Sequence, residues 1–221
     1  MYLDDNSTHS RNFIFGKLYE GHAYARDIIG YPEDLKNPKL RQLIDFYHTW
    51  YVPNNMALIL VGDFDIEATK PLIEKTFGKL EARPLPERTQ YPITAFEQDE
   101  RYSAKLGYMP ELYIAYNGVP VGDKDELLLD FLGEILSNSM QIGLLDELTL
   151  DNKLMYAGAV NDVRRDQGRF LVVAVPYMDA ETQTYTSLKE TEKLVNEAIQ
   201  QLVSGNITEE LVEAVRQNFY Q

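Results

Sequence analysis

His9, His22 and His48 are the only imidazoles in the chain, and there is no cysteine. A zinc ion that does chemistry usually needs about three converging protein ligands, often two histidines four residues apart on one helix face. None of the three histidines has a partner at that spacing, so they read as isolated side chains and not as a ligand set. Paired carboxylates are the next place to look for acid–base work. Glu33/Asp34, Asp99/Glu100, Asp146/Glu147 and Glu209/Glu210 are sequence neighbours. On a helix or strand such neighbours point apart, which fits solvated charges or helix caps better than catalytic pairs. No nucleophile elbow, phosphate loop or dinucleotide fingerprint occurs. By residue type and spacing, this chain carries no catalytic and no metal site.

Its bulk properties narrow the partners. The chain has 221 residues, a formal charge of −14 and 44% hydrophobic residues, an ordinary content for a globular protein. A nucleic-acid binder needs a basic face to offset phosphate repulsion, and no basic cluster is present. No run approaches the ~18 apolar residues of a membrane span. The opening MYLDDNSTHS is polar and acidic, without the basic and apolar regions of a secretory leader. In an excised piece that says nothing of the parent's compartment. The absence of cysteine rules out disulfides and thiolate metal sites.

The elements that would position any site follow from periodicity and punctuation. Asn12–Tyr19 reads as a short helix with Phe13 and Leu18 inward, and Glu20–Tyr31 as loop. Asn37-Pro38 predicts a helix start, with Leu40, Leu43, Ile44 and Tyr47 on its apolar face. Val52-Pro53-Asn54-Asn55 stops it. Met56–Val61 is a continuous apolar run bounded by turns, the pattern of a strand covered on both faces. Asp65 is the expected N-cap of the next helix. Pro71 argues that this helix begins nearer Thr69 or bends there. Residues 81–104 are rich in proline and charge, and read either as an interdomain linker or as a surface excursion within one domain. Beyond them come strand material at Lys105–Val119, an Asp123-x-x-Glu126 helix start, and a short helix at Ile142–Leu150. A hairpin of Lys153–Val163 with Arg169–Val175 follows, then a helix from Thr182 to Ser204 that Gly205 ends, and another from Thr208. This order predicts an α+β fold, a mostly antiparallel sheet with helices packed on one face.

The run Y-x-P-N-N-M-x-L-x-x-V-G-D-x-D from Tyr51 to Asp65, followed by Phe77-Gly78-Lys79-Leu80, resembles the pitrilysin/insulinase family of zinc peptidases, the inverzincins. Gly21-His22-Ala23-Tyr24 and Ile29-Gly30 resemble that family's H-P-Y-G…I-G segment. The resemblance implies the metallohydrolase fold of the mitochondrial processing peptidase and pitrilysin. It also implies three regions: residues 1–82 as the end of a catalytic-type domain, 83–104 as linker, and 105–221 as the non-catalytic sister domain.

Inverzincins hold zinc with H-x-x-E-H and a later glutamate. This chain lacks the motif. Asp4 and Asp5 fall after the position expected for that later glutamate, and aspartate is one methylene shorter. Zinc is therefore expected in a full-length protein and not from these residues, and the chain alone should be inactive. In the family's second half, an arginine followed seven residues later by a tyrosine helps hold the substrate. The tyrosine matches Tyr156, a candidate substrate-binding residue, but the arginine position is Thr149, which cannot lend guanidinium charge. The other reading of Tyr156 is a tyrosine simply packed at a strand start. Peptides and the remaining domains or a partner half are the partners implied, in a periplasmic or cell-envelope setting. The other reading is a homologue that has lost catalysis and serves as a peptide-binding or subunit-scaffold module. Either way, residues 1–80 are expected to expose an apolar face.

Overall fold

The computed structural model describes residues 6–92 and 95–219. Its chain divides into two compact units: residues up to 26 with those from 92 onward, and residues 27–91.

The larger unit is built on three strands, β1 (Leu112–Asn117), β2 (Leu154–Asp162) and β3 (Arg169–Pro176). All pairings are antiparallel, in the order β1-β3-β2. β-Branched and small apolar residues crowd the central strand, whose residues are buried except for half-buried Val173. Four helices lie against one face: α5 (Glu126–Leu136), α6 (Leu144–Leu150), α7 (Leu188–Val203) and α8 (Glu209–Phe219). Ile135, Leu136, Leu145, Val195, Ile199 and Val215 meet Leu154, Ala157, Phe170, Val172 and Ala174 of the sheet in one core. The opposite face is covered in part, by α1 (Asn6–Leu18), the 3₁₀ turn Ala23–Ala25 and Phe96. Leu18 and Tyr19 are buried there with Leu171.

Local chemistry explains where these helices stop and start. Ser187 accepts from the Glu190 amide at the head of α7, so the helix begins six residues later than the periodicity from Thr182 suggests. The intervening Asp179–Tyr185 loop closes on itself, with Asp179 accepting from the Glu181 and Thr182 amides. Gly205, at φ +71°, ends α7 as expected. Thr208 accepts from the Leu211 amide at the head of α8. α6 ends in a motif of the same kind, with Asn152 in the left-handed position at φ +56°. The Asn152 amide donates to the Thr149 carbonyl at 3.1 Å and the Lys153 amide to the Leu148 carbonyl at 2.9 Å. That turn sets the angle at which β2 leaves α6.

The smaller unit contains α2 (Pro32–Leu35), α3 (Leu40–Trp50) and α4 (Ile66–Thr76). Two of its features differ from the sequence pattern. α4 begins at Ile66 and not near Thr69, with Pro71 inside it, because Asp65 accepts from the Ala68 amide at 2.7 Å and fixes the start. Met56–Val61, expected as a strand, lies in no sheet. A strand needs neighbours for its amides and carbonyls, and no described segment pairs with it. Ile59 is 81% and Val61 94% exposed. Leu40, Leu43, Phe46, Tyr47, Leu58, Leu72 and Phe77 are exposed as well, so of residues 1–80 it is this unit that exposes large apolar side chains, while Leu18 and Tyr19 are buried.

Asn152→Ala is expected to lower the stability of the larger unit by about 1 kcal/mol, the cost of a side chain without local polar compensation in the left-handed region. Asn152→Gly should cost nothing. Denaturant unfolding of the three proteins checks both.

Candidate functional site

Tyr156 owes its position to an irregularity in β2. Leu154 pairs with Pro176 and Tyr156 with Val175, so Met155 is an extra residue in the ladder. Without that bulge, strict alternation would turn Tyr156 toward the helices together with Leu154. With it, Leu154 and Ala157 both enter the core while Tyr156, 54% exposed, stands on the opposite, open face.

The neighbours on that face follow from register. Tyr113 and Gly158 both pair with Val173, placing them in one row across the three strands. The Tyr156 phenol lies back over Gly158, and Ser137, at the end of α5, reaches the same spot. Burial pushes the Tyr113 phenol up to about 12, helped by the Glu111 carboxylate and, more weakly, by Tyr156. Tyr113 donates to Glu111 at 3.2 Å. Tyr113 is thus a neutral hydrogen-bond donor throughout the physiological range and no general base. Thr149 sits half-buried in the last turn of α6, ahead of the turn that leads into β2. Two phenols, a hydroxyl and bare strand backbone suit recognition of an extended polar chain. They supply no nucleophile–base pair.

The histidines do not converge. His9 is exposed on α1 and His48 on α3. His22 is buried, and its Nδ1 accepts from the Tyr24 amide at 3.1 Å, capping the 3₁₀ turn. Its ring packs on Tyr24 with centroids 4.2 Å apart. Asp146 is a cap, accepting from the Gly143 amide at 2.9 Å and the Asn138 amide at 3.0 Å. Asp4 and Asp5 lie outside the described residues. Among the described residues, no three His, Cys, Asp or Glu side chains come together to hold a metal ion. The described residues do not fit a zinc site, and no hydrolytic step is assigned to them.

Sequence reasoning missed a second cluster, beside the open face. Arg169, at the head of the central strand, is fully buried. Its Nη2 donates at 2.9 Å and its Nε at 3.2 Å to the carbonyl of Leu18, the last residue of α1. The guanidinium lies 4.3 Å from the Phe96 ring centroid and 5.2 Å from that of Tyr19. Burial pulls its pKa below the ordinary value. Asp162 accepts from the Tyr19 hydroxyl at 2.9 Å and from Arg164 Nε at 2.8 Å. Arg164 in turn covers the rings of Phe15, Tyr19 and Tyr24. Burial first, then the hydrogen bond to Asp162, raises the Tyr19 phenol well above its usual range. The only sequence hint was an arginine opening an otherwise apolar strand.

The sequence profile described as the peptidase M16 inactive domain matches residues 39–219, and the chain belongs to that family. It is 25% identical over 170 residues to the zinc protease PqqE of Helicobacter pylori, covering 73% of this chain and 37% of that protein. It is 25% identical over 162 residues to the uncharacterized zinc protease YmxG of Bacillus subtilis, covering 71% and 38%. Among solved structures, a peptidase M16 inactive domain from Pseudomonas fluorescens superposes with a TM-score of 0.75 at 16% identity, over 99% of this chain and 52% of that one. The periplasmic protease PqqL from Escherichia coli superposes with a TM-score of 0.69 at 20% identity, over 97% and 24%. These structural likenesses show the fold. The chain spans little more than a third of the length of the first two relatives.

The Tyr19 cluster makes a pH prediction. A tyrosine in the unfolded chain loses its proton near pH 10, whereas folded Tyr19 keeps it to higher pH. Its raised pKa therefore contributes stability that is complete below about pH 10 and is lost as pH rises above it. Tyr113, pushed to about 12, acts in the same direction. Tyr19→Phe should show a shallower fall in stability above pH 10 than the parent, measured by denaturant unfolding across that range.

Proposed function

We propose that this chain is the non-catalytic region of a zinc-dependent endopeptidase of the pitrilysin/insulinase class, forming part of the wall of a peptide-degrading chamber. The observation that carries this reading is the match to an inactive M16 domain along most of the chain. Threonine at position 149, where the family's substrate-holding arginine is expected, agrees with it. Zinc and the H-x-x-E-H motif would be supplied by sequence upstream of this chain, and hydrolysis would take place there. In this reading residues 1–82 end the zinc-bearing domain, 83–104 link and 105–221 form the sister domain, with the segment up to residue 26 packed on the sheet of the latter. The apolar face of residues 27–91 and the unpaired run Met56–Val61 would be covered by that upstream sequence. Tyr156 would contact the peptide. The periplasmic description of PqqL supports the same compartment here.

A second reading is a catalytically inactive homologue acting as a peptide-binding or subunit-scaffold module. A chain of complex III2 from Candida albicans shares the fold, with a TM-score of 0.71 at 16% identity over 98% of this chain.

Zinc content and cleavage of a quenched fluorescent peptide decide between the two, measured for this chain alone and for the same chain joined to its upstream sequence. The peptidase reading expects a zinc-free, silent fragment and a longer protein whose cleavage stops with chelator. A longer protein that is also silent and metal-free would establish the scaffold reading. Stoichiometric zinc in the fragment would contradict both.

A further inference from the structure

We infer that Gly158 is a positioning residue for Tyr156: its missing side chain is the space that the Tyr156 hydroxyl occupies on the open sheet face. This rests on the proposed contact of Tyr156 with peptide and names what sets that contact. A Cβ built on Gly158 would lie 2.7 Å from the Tyr156 hydroxyl oxygen and 3.2 Å from the ring carbon that bears it. Real Cβ atoms do not approach an oxygen that closely, so a side chain at 158 and the hydroxyl in its present place exclude each other. Nothing in the backbone demands glycine here. Gly158 lies within β2, paired with Val173, and it is not among the glycines with positive φ. The nearest other atom is Ser137 Oγ, at 3.7 Å from that Cβ, an ordinary contact. A glycine inside a strand forgoes side-chain packing and costs backbone entropy. At this position it leaves room for one phenol.

The bulge and the glycine act together. The extra residue Met155 turns Tyr156 to the open face, and Gly158, two residues on, lets the ring lie down along the strand and not stand off it. The hydroxyl is then held close to the main chain of β2, beside the row that ends in Tyr113. A ligand that meets it there is one whose own backbone can lie along the strand: an extended peptide, with a carbonyl oxygen accepting from the phenol. Because the Tyr156 ring is more than half exposed, a methyl group at 158 displaces the ring into solvent at little cost to folding. The functional effect is thereby separable from stability.

The test uses Gly158→Ala, Tyr156→Phe and the double variant in the whole protein, assayed on a quenched peptide. The same variants of this chain carry fluorotyrosine for fluorine NMR, the Tyr156 signal being assigned by its loss in Tyr156→Phe. The expected result is an unchanged unfolding midpoint and a displaced Tyr156 signal in Gly158→Ala. The fall in kcat/KM should match that of Tyr156→Phe, about two- to tenfold for one neutral hydrogen bond to the peptide. The double variant should fall no further, because without the hydroxyl there is nothing left to misplace. Full activity in Gly158→Ala beside a depressed Tyr156→Phe overturns the inference and leaves the Tyr156 contact standing. An unmoved fluorine signal in Gly158→Ala also overturns it. Full activity in Tyr156→Phe with a displaced signal overturns the peptide contact, while the steric control of Tyr156 by Gly158 holds.

Discussion

The larger unit depends on one buried cation. Arg169 opens the central strand and closes α1, because its guanidinium donates twice to the carbonyl of the last helical residue, Leu18. That carbonyl is one of the four that a helix end leaves without an intrahelical partner, and it carries the negative end of the helix dipole. Burying a guanidinium costs several kcal/mol. Two hydrogen bonds from a charged donor, at roughly 1.5–3 kcal/mol each, and contacts with the Phe96 and Tyr19 faces, at up to about 2 kcal/mol each, offset that cost. Gly118 and Gly168 allow the backbone crossing beside it. A Cβ on Gly118 would lie 2.6 Å from the Arg169 nitrogen, and one on Gly168 would lie 2.2 Å from the Val119 carbonyl oxygen. With the strand head fixed, the N-terminal segment covers one end of the sheet face and leaves the other end open around Tyr156.

That division of the face gives the site its character. At the covered end the charges are consumed by structure: Asp162 holds Tyr19 and Arg164, and Arg164 caps a stack of aromatic rings. At the open end there are phenols, a glycine and strand backbone, with no cation standing where the family's arginine would be. Such a surface suits the peptide contact proposed for it, and no nucleophile–base pair is assigned among its described residues. This agrees with membership of a family described as inactive, and with a wall role inside a larger peptidase.

Much of this was legible in the sequence, and what was not has identifiable causes. The helices ending at Gly205 and capped at Asp65 were visible because their caps are local chemistry. The hairpin of β2 and β3 showed as two apolar runs around Arg165–Gly168, and the α+β arrangement followed from element order. Met56–Val61 has the composition of a buried strand, but composition cannot supply the neighbours that make a strand, and no described segment pairs with it. The bulge at Met155 left no letter-level signal, so the orientation of Tyr156 could not be read from alternation. Its candidacy came from motif resemblance alone. Arg169 was invisible because its partner, the Leu18 carbonyl, lies 151 positions away and is main chain.

The central claim is that the open sheet face, and not the helical one, meets peptide. A photo-crosslinking residue placed at Val160 on the open face, and in a second protein at Gln201 on α7, tests it in the whole protein with a labelled peptide. Both positions are exposed. The account expects peptide label attached from position 160 and none from position 201. Label from position 201 alone, or from neither, would contradict it.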